Sequence, residues 1–327
     1  MSWKRLGVVF APDGKQPWAR SHAALPTPVH LAGDVFRIFF SSRDAEKRSY
    51  VGWADVEVSD APRVVEAAAE PVLSPGEDGA FDDSGVSIGC ITEADGFALY
   101  YMGWNLGVRS PWRNAIGLAR SRTLQAPFER ISPGPILDRS PQDPYTLSYP
   151  CVLRFGPQDW LMWYGSNLAP ALGNADMSHA IKLARSRDGI DWTRDGATVV
   201  GFAAEGEYAL ARPSVVTVGD RLLMGFACRG GNYRIGAASS RDGVDWTRLD
   251  AAMGLAPSSH GWDSEMTCYP ALFWHRERLW LAYNGNGYGA TGFGLAVWQG
   301  PLAMDQTDDL PARPAKYSAT ERGVRTS

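Results

Sequence analysis

The stretch Ile181-Lys-Leu-Ala-Arg-Ser-Arg-Asp-Gly-Ile-Asp-Trp-Thr-Arg194 returns as Ile235-Gly-Ala-Ala-Ser-Ser-Arg-Asp-Gly-Val-Asp-Trp-Thr-Arg248. A looser copy reads Ile116-Gly-Leu-Ala-Arg-Ser-Arg-Thr-Leu124, then Phe128-Glu-Arg130. Val51-Gly-Trp-Ala-Asp55 and Phe293-Gly-Leu-Ala-Val297 keep only the first part. The second positions of the five copies (Gly52, Gly117, Lys182, Gly236, Gly294) lie 65, 65, 54 and 58 residues apart. A period of this size suits a four-stranded propeller blade rather than a helical solenoid.

Each copy has the same upstream neighbours. An aromatic strand comes first: Phe36–Phe40, Ala98–Tyr101, Trp160–Tyr164, Leu222–Phe226 and Leu279–Tyr283. Before it runs a further apolar strand: Pro26–Val29, Ser84–Ile88, Tyr149–Leu153, Arg212–Val216 and Tyr269–Phe273. A repeat thus reads as inner strand, aromatic strand, Gly-x-Ala strand, Asp-Gly turn and Trp-x-Arg outer strand. Asp188-Gly189 and Asp242-Gly243 supply the positive-φ residues that tight turns need. The fifth copy lacks a Trp-x-Arg strand, and Trp3-Lys-Arg5 at the other end of the chain matches it. The sequence therefore predicts an all-β, five-bladed propeller whose N-terminal strand completes the last blade and removes the open edge. Residues 1–301 are expected to form this single domain, and the polar, Pro-containing segment 302–327 a loosely ordered tail.

Composition narrows the function. The chain has 327 residues, is 45% hydrophobic and 11% aromatic, and carries a net charge of −4. It is too apolar to be disordered and too acidic for a general nucleic-acid binder. No run of ~18 apolar residues predicts a membrane span. Residues 1–10 show no secretory leader, so a cytoplasmic protein is expected. Cys90, Cys151, Cys228 and Cys268 lie far apart, which predicts buried free thiols rather than a zinc site.

In a propeller the beginnings of the inner strands converge on an axial funnel. Polar residues cluster there: Arg20-Ser21-His22, Asp82-Asp83-Ser84, Asp138-Arg139 with Asp143, Arg212, and Asp263-Ser264-Glu265. More follow the aromatic strands (Arg43, Asp44, Trp104, Arg229, Asn284) or precede the third strands (Arg113, Asn114, Arg234).

These residues carry a resemblance. Trp18-Ala-Arg-Ser-His22, Phe39-Phe-Ser-Ser-Arg-Asp44, Phe81-Asp-Asp-Ser-Gly85, Arg113-Asn-Ala-Ile-Gly117, Ile136-Leu-Asp-Arg139, Ala211-Arg-Pro213, Trp262-Asp-Ser-Glu265 and Tyr283-Asn-Gly-Asn286 make the chain similar to five-bladed propeller glycoside hydrolases of the group around families 32, 43, 68 and 130. The nearest likeness is to family-43-like proteins found among surface-polysaccharide biosynthesis genes. It spans roughly residues 1–298.

The resemblance implies a sugar site in the funnel and a pair of carboxylates about the scissile bond. Glu265 is then the candidate acid, and Asp83 the candidate base or nucleophile, with Asp82 as its rival. Asp138 or Asp143 would orient the sugar or tune the acid. One departure stands out: the first blade's inner strand carries Arg20-Ser21-His22 where the group places a catalytic aspartate. His22, with an ordinary pKa near neutrality, is a candidate general base or an oxygen ligand.

Arg20, Arg43, Arg113, Arg139, Arg212, Arg229 and Arg234 all fall on the expected funnel side, and such a set suits an anionic sugar derivative. Trp104, Trp112 and Trp163 are candidates for stacking on a sugar ring. No spacing calls for a cofactor, although Asp, Asn and water oxygens could hold an axial Ca²⁺ or Mg²⁺. The expected partner is a small sugar or sugar derivative, with neither nucleic acid nor membrane. Two other readings are a biosynthetic enzyme performing a different step on an activated sugar and a non-catalytic glycan-binding propeller. Asp82 and Asp83 could equally cap a turn, and Glu265 could serve as a buried partner for an arginine.

Overall fold

A computed structural model describes residues 2–169, 177–203 and 205–302. Of the expected tail, 302–327, all but Leu302 lies outside these residues, and Leu302 packs against the core of the last blades. The described chain is almost entirely β-strand, and its strands fall into five antiparallel units. The first blade is β2 (Ser21–Ala32), β3 (Val35–Arg43), β4 (Ser49–Glu57) and β5 (Arg63–Ala67). The second is β6 (Gly85–Glu93), β7 (Phe97–Leu106), β8 (Trp112–Ser121) and the short β9 (Glu129–Arg130). The third is β10 (Leu147–Gly156), β11 (Asp159–Asn167), β12 (His179–Ser186) and β13 (Trp192–Val200). The fourth is β14 (Ala209–Val218), β15 (Arg221–Arg229), β16 (Tyr233–Ser240) and β17 (Thr247–Arg248).

The fifth blade has three strands in sequence order: β18 (Cys268–His275), β19 (Arg278–Asn284) and β20 (Phe293–Gln299). Its outer strand is β1 (Ser2–Phe10), which pairs with β20 so that Trp3 faces Trp298 and Arg5 faces Ala296. The N-terminal strand closes the ring, as the displaced Trp-x-Arg predicts. The inner strands β2, β6, β10, β14 and β18 each contact the next, and β18 returns to β2.

The repeat has a packing cause. A Cβ on Gly117 would lie 2.3 Å from the Tyr101 ring, and one on Gly52 would lie 2.1 Å from Trp18. Only glycine lets these rings lie flat on the third strand. The Asp-Gly turns join neighbouring blades. Tyr100 of the second blade donates to the Gly189 carbonyl of the third at 2.8 Å. Trp163 of the third blade donates to the Gly243 carbonyl of the fourth at 2.8 Å. Trp163 is therefore fully buried between blades, beyond reach of a sugar, and the expectation that it might stack on one is corrected. All four cysteines are free, three buried and Cys90 partly so.

Candidate functional site: the axial funnel

The polar residues at the inner-strand starts separate into two kinds. One kind recurs. Asp82 accepts from the Tyr101 hydroxyl at 3.0 Å and from Arg130 of its own outer strand at 2.8 Å. Asp143 accepts from Tyr164 at 2.9 Å and pairs with Arg194 of its outer strand at 3.2 Å and with Lys182 at 3.0 Å. Asp263 accepts from Tyr283 at 2.9 Å and pairs with Arg5 of the closing strand at 3.1 Å. In the fourth blade Glu207 takes the same place, held by Arg248 and Arg234 at 3.1 Å each. Each blade except the first thus ties its inner-strand lead to its outer strand through one buried acid. Lys182, the one non-glycine in the third-strand series, reaches the acid of its own blade.

These locks engage several sequence candidates. Asp82, Asp143 and Asp263 are buried with their carboxylates bound to Tyr and Arg, and Arg234 is bound to Glu207. Asp44 is held within the first blade by Arg48 at 2.8 Å and Tyr50 at 3.1 Å. Asn284 accepts from the Leu25 amide and donates to the Ala23 and Gly292 carbonyls, stapling the fifth blade to the first. Asp138 and Arg139 are exposed and pair with each other at 3.4 Å. Arg20 is exposed and donates to the Gly14 carbonyl, and Arg113 is exposed at the start of β8. The triad Glu207, Cys228 and Asp250 is compact enough to surround an ion. Arg248 neutralises both of its acids, and burial pushes the Cys228 thiol up to about 12, so its donor set does not suit a metal.

The second kind breaks the repeat. Asp83 accepts from Ser84 Oγ at 2.8 Å and from the Gly79 amide at 3.1 Å, with no basic partner among the described residues. Glu265 is exposed, and among the described residues its side chain has no partner. Its backbone amide donates to Asn286 Oδ1 at 2.8 Å. Asp83 and Glu265 stand just before the inner strands of the second and fifth blades, which flank the first. Between them the first blade presents His22 and Arg43. Burial, helped by the positive charge of Arg43, pushes His22 down to about 4, not the near-neutral value expected from sequence. The imidazole is neutral at physiological pH, and its Nδ1 lies 2.9 Å from Ser21 Oγ. Partly exposed Trp104 donates to Ser49 Oγ at 2.8 Å, and Asn114, its partner across the β7–β8 pair, is buried. Arg229 lies over the rings of Tyr208 and Tyr233.

The axis itself holds side chains of which the sequence singled out only Arg212. Four inner strands carry a non-glycine residue with positive φ immediately before proline: Leu25 (59°), Tyr149 (51°), Arg212 (54°) and Tyr269 (51°). Each lies within a register shift of its strand. A residue before proline normally stays extended, and a left-handed side chain is strained by about 1–3 kcal/mol. The shift carries these side chains into the centre. Tyr149 of the third blade packs on Tyr269 of the fifth at a ring separation of 5.6 Å. Arg212 of the fourth reaches Thr27 Oγ1 of the first at 2.8 Å. Neither pair of blades is adjacent, so both contacts cross the axis. Tyr288, Tyr233 and the buried His179 extend the cluster. The recurring Tyr-Pro and Arg-Pro pairs were the available signal. A guanidinium on the axis also opposes a Ca²⁺ or Mg²⁺ there, so the axial residues do not fit a cation.

No family model matches the chain. It is 45% identical over 298 residues to the uncharacterized protein Rv1502 of Mycobacterium tuberculosis, covering 91% of this chain and 99% of that protein. The chain belongs to the family of that protein. Among solved structures, it is similar to BT0996 in an RGII complex, at a TM-score of 0.70 and 17% identity, covering 94% of this chain and 95% of that one. A thermostable family-43 glycoside hydrolase gives a TM-score of 0.63 at 12% identity, covering 85% of this chain and 89% of that one. A member of the GH130 family of mannoside phosphorylases and glycoside hydrolases gives 0.67 at 14%, covering 96% of both chains. The family member therefore has the fold of glycoside-hydrolase-like propellers. No described helix is long and apolar enough to cross a membrane.

Proposed function

We propose that this family member is a glycoside-hydrolase-like enzyme acting at the anomeric bond of an anionic sugar held in the axial funnel, with residues 1–301 as the catalytic domain. The observation that carries this reading is the division among the acids. The carboxylates that recur are held by cationic side chains of their own blades, whereas Asp83 and Glu265 are left without a basic partner among the described residues, at the starts of inner strands. General acid–base chemistry needs carboxylates free to exchange protons with a ligand. In this reading Glu265 protonates the leaving oxygen and Asp83 activates water or attacks the anomeric carbon. Neutral His22 accepts a hydrogen bond from a sugar hydroxyl, and Arg43 and Arg229 supply positive charge at the mouth. The fold neighbours, named as glycoside hydrolases, support the reaction class.

A panel of aryl glycosides, uronic acid and neutral, tests it. Uronides are expected to turn over faster than their neutral counterparts, with Asp83→Asn and Glu265→Gln each slowing turnover by about 10²-fold or more. Turnover within a few-fold of wild type in both variants would sink the assignment.

A further inference from the structure

Arg212 is 2% exposed, yet among the described residues it forms no ion pair. Its Nη2 donates to Thr27 Oγ1 at 2.8 Å and to the Pro26 carbonyl at 3.4 Å, and its buried Nε has no partner. The ionisable groups that act on it electrostatically are Cys151, Cys90 and Tyr149. Burial pushes Cys90 up to about 12 and raises Cys151 and Tyr149 as well, so all three are neutral at physiological pH. Arginine does not shed its proton in proteins, so the axis carries a full positive charge among neutral groups.

Two arginines with little side-chain exposure inside the blades are paired with acids. Arg37 forms a two-pronged pair with Asp55 at 2.8 Å, and Arg194 pairs with Asp143 at 3.2 Å. A buried charge without a counter-charge is strongly destabilising. Here it is retained on a residue that is also held in a strained backbone conformation, at the centre of the ring. The left-handed φ recurs at Leu25, Tyr149 and Tyr269, so what sets Arg212 apart from these is its unneutralised charge and its unpartnered Nε.

We infer that Arg212 supplies the positive charge of an axial subsite for a compact oxyanion. The Tyr149 and Tyr269 hydroxyls, 3.4 Å apart across the axis, form its rim. Both phenols remain protonated and so can donate. Arg212 is a specificity-determining residue in this arrangement and performs no bond-breaking step. The inference rests on the reading of the funnel as a sugar site and names the end of the sugar that enters first: a carboxylate borne on the ring carbon, with a free inorganic oxyanion able to use the same donors.

Calorimetric titration of the full chain with glucuronate, glucose and inorganic phosphate tests this. Wild type is expected to bind glucuronate more tightly than glucose. Arg212→Met should weaken glucuronate at least about tenfold while leaving glucose within about twofold, because the lost contact is to the oxyanion alone. Arg212→Lys, which keeps the charge and loses the fork, should fall between the two. Binding of phosphate that also depends on Arg212 would show that the subsite takes a free oxyanion. Dependence for glucuronate alone would show that it takes only a sugar-borne one, and either result supports the subsite. Glucuronate bound equally by wild type and a folded Arg212→Met chain overturns it, as does a wild type that binds neither anion up to ~100 mM. Asp83→Asn separates the two readings. Lost turnover with retained glucuronate binding supports both, whereas retained turnover with Arg212-dependent binding removes the catalytic reading and leaves the subsite standing.

Discussion

Tyr149 and Tyr269 bring their hydroxyl oxygens to 3.4 Å, although a whole blade separates the strands that carry them. Only the centre of the ring allows this contact. Both residues sit before proline with φ of 51°, so the same backbone irregularity in two blades produces one shared contact. The axis is a place where departures from strand geometry are put to use, and it is there that the blades stop being equivalent.

A double-mutant cycle checks that the hydroxyls share one bond. Tyr149→Phe and Tyr269→Phe are each expected to cost about 0.5–1.5 kcal/mol in urea unfolding. The double variant should cost little more than either single one, because the second hydroxyl has nothing left to lose. Additive losses would mean that each hydroxyl is satisfied elsewhere.

The blade locks predict an order of stability losses. Arg194 is 9% exposed and Asp143 is fully buried, whereas Arg130 is 24% and Arg5 34% exposed beside Asp82 and Asp263. Removing a buried partner strands its carboxylate, at about 3–5 kcal/mol, and solvent screening reduces this as exposure rises. Arg130→Ala should therefore destabilise more than the more exposed Arg5→Ala, and Arg194→Ala less than its burial alone implies, because Lys182 still neutralises Asp143. Denaturant midpoints of the three variants give the order directly, and a reversed order would mean that the locks do not hold the blades as assigned.

Much of the ring was legible from Ile181–Arg194 and its copies, because a blade must repeat its strand, turn and glycine spacing to bury its faces. Even the closure by Trp3-Lys-Arg5 followed, since a missing outer strand leaves an edge. The outer strand of the first blade, Arg63–Ala67, has no Trp-x-Arg motif and left no mark. The acids were harder. Asp82, Asp143 and Asp263 stand where a funnel residue would stand, and nothing in their own identity reveals that a tyrosine and an arginine have already claimed them. Their recurrence was the clue: a side chain that serves the blade returns with its partners, whereas one that serves a ligand need appear only once. Arg212, Glu265 and Asp83, the residues proposed to meet the ligand, each appear once. The depressed His22 was not legible because burial, not sequence, sets it.

Two histidines give the protein an acid side to its stability curve. Burial pushes His22 and His179 each down to about 4, against an ordinary value near 6.5. Between these values the unfolded chain binds protons that the folded chain refuses. Stability is therefore expected to fall as pH drops from about 6.5 to about 4, by at most ~1.4 kcal/mol per pH unit for each histidine, with the half-buried His22 contributing less. Asp143 acts in a lower window. Burial would raise it, but hydrogen bonds from Ser166, Lys182 and Tyr164 prevail and hold it below the usual aspartate range, so its contribution is lost only as pH falls below about 4. Urea unfolding of wild type and His179→Gln across this range checks both, and the variant should show the shallower slope between pH 6.5 and 4. Equal slopes would mean that His179 is protonated in the fold.

Asp83 and Asp143 provide the sharpest contrast between a carboxylate proposed to serve a ligand and one that serves the blade. Asp143 accepts from Ser166 at 2.6 Å and Tyr164 at 2.9 Å and faces two cations, so Asp143→Asn leaves Lys182 and Arg194 buried without their acid. It should destabilise by about 3 kcal/mol or more. Among the described residues the Asp83 side chain accepts from Ser84 Oγ on one oxygen and from the Gly79 amide on the other; an asparagine keeps the amide contact on Oδ1 and can donate Nδ2 to Ser84 Oγ, so Asp83→Asn should shift stability by under about 0.5 kcal/mol. Its effect should appear instead in turnover, about 10²-fold or more, and in the loss of one limb of the pH–rate profile. Glu265→Gln should behave in the same way and remove the opposite limb. Measured side by side, thermal midpoints and turnover should rank the variants in opposite orders. Asp143→Asn lowering turnover as far as Asp83→Asn at a temperature where both are folded would place catalysis on the lock rather than on the rim.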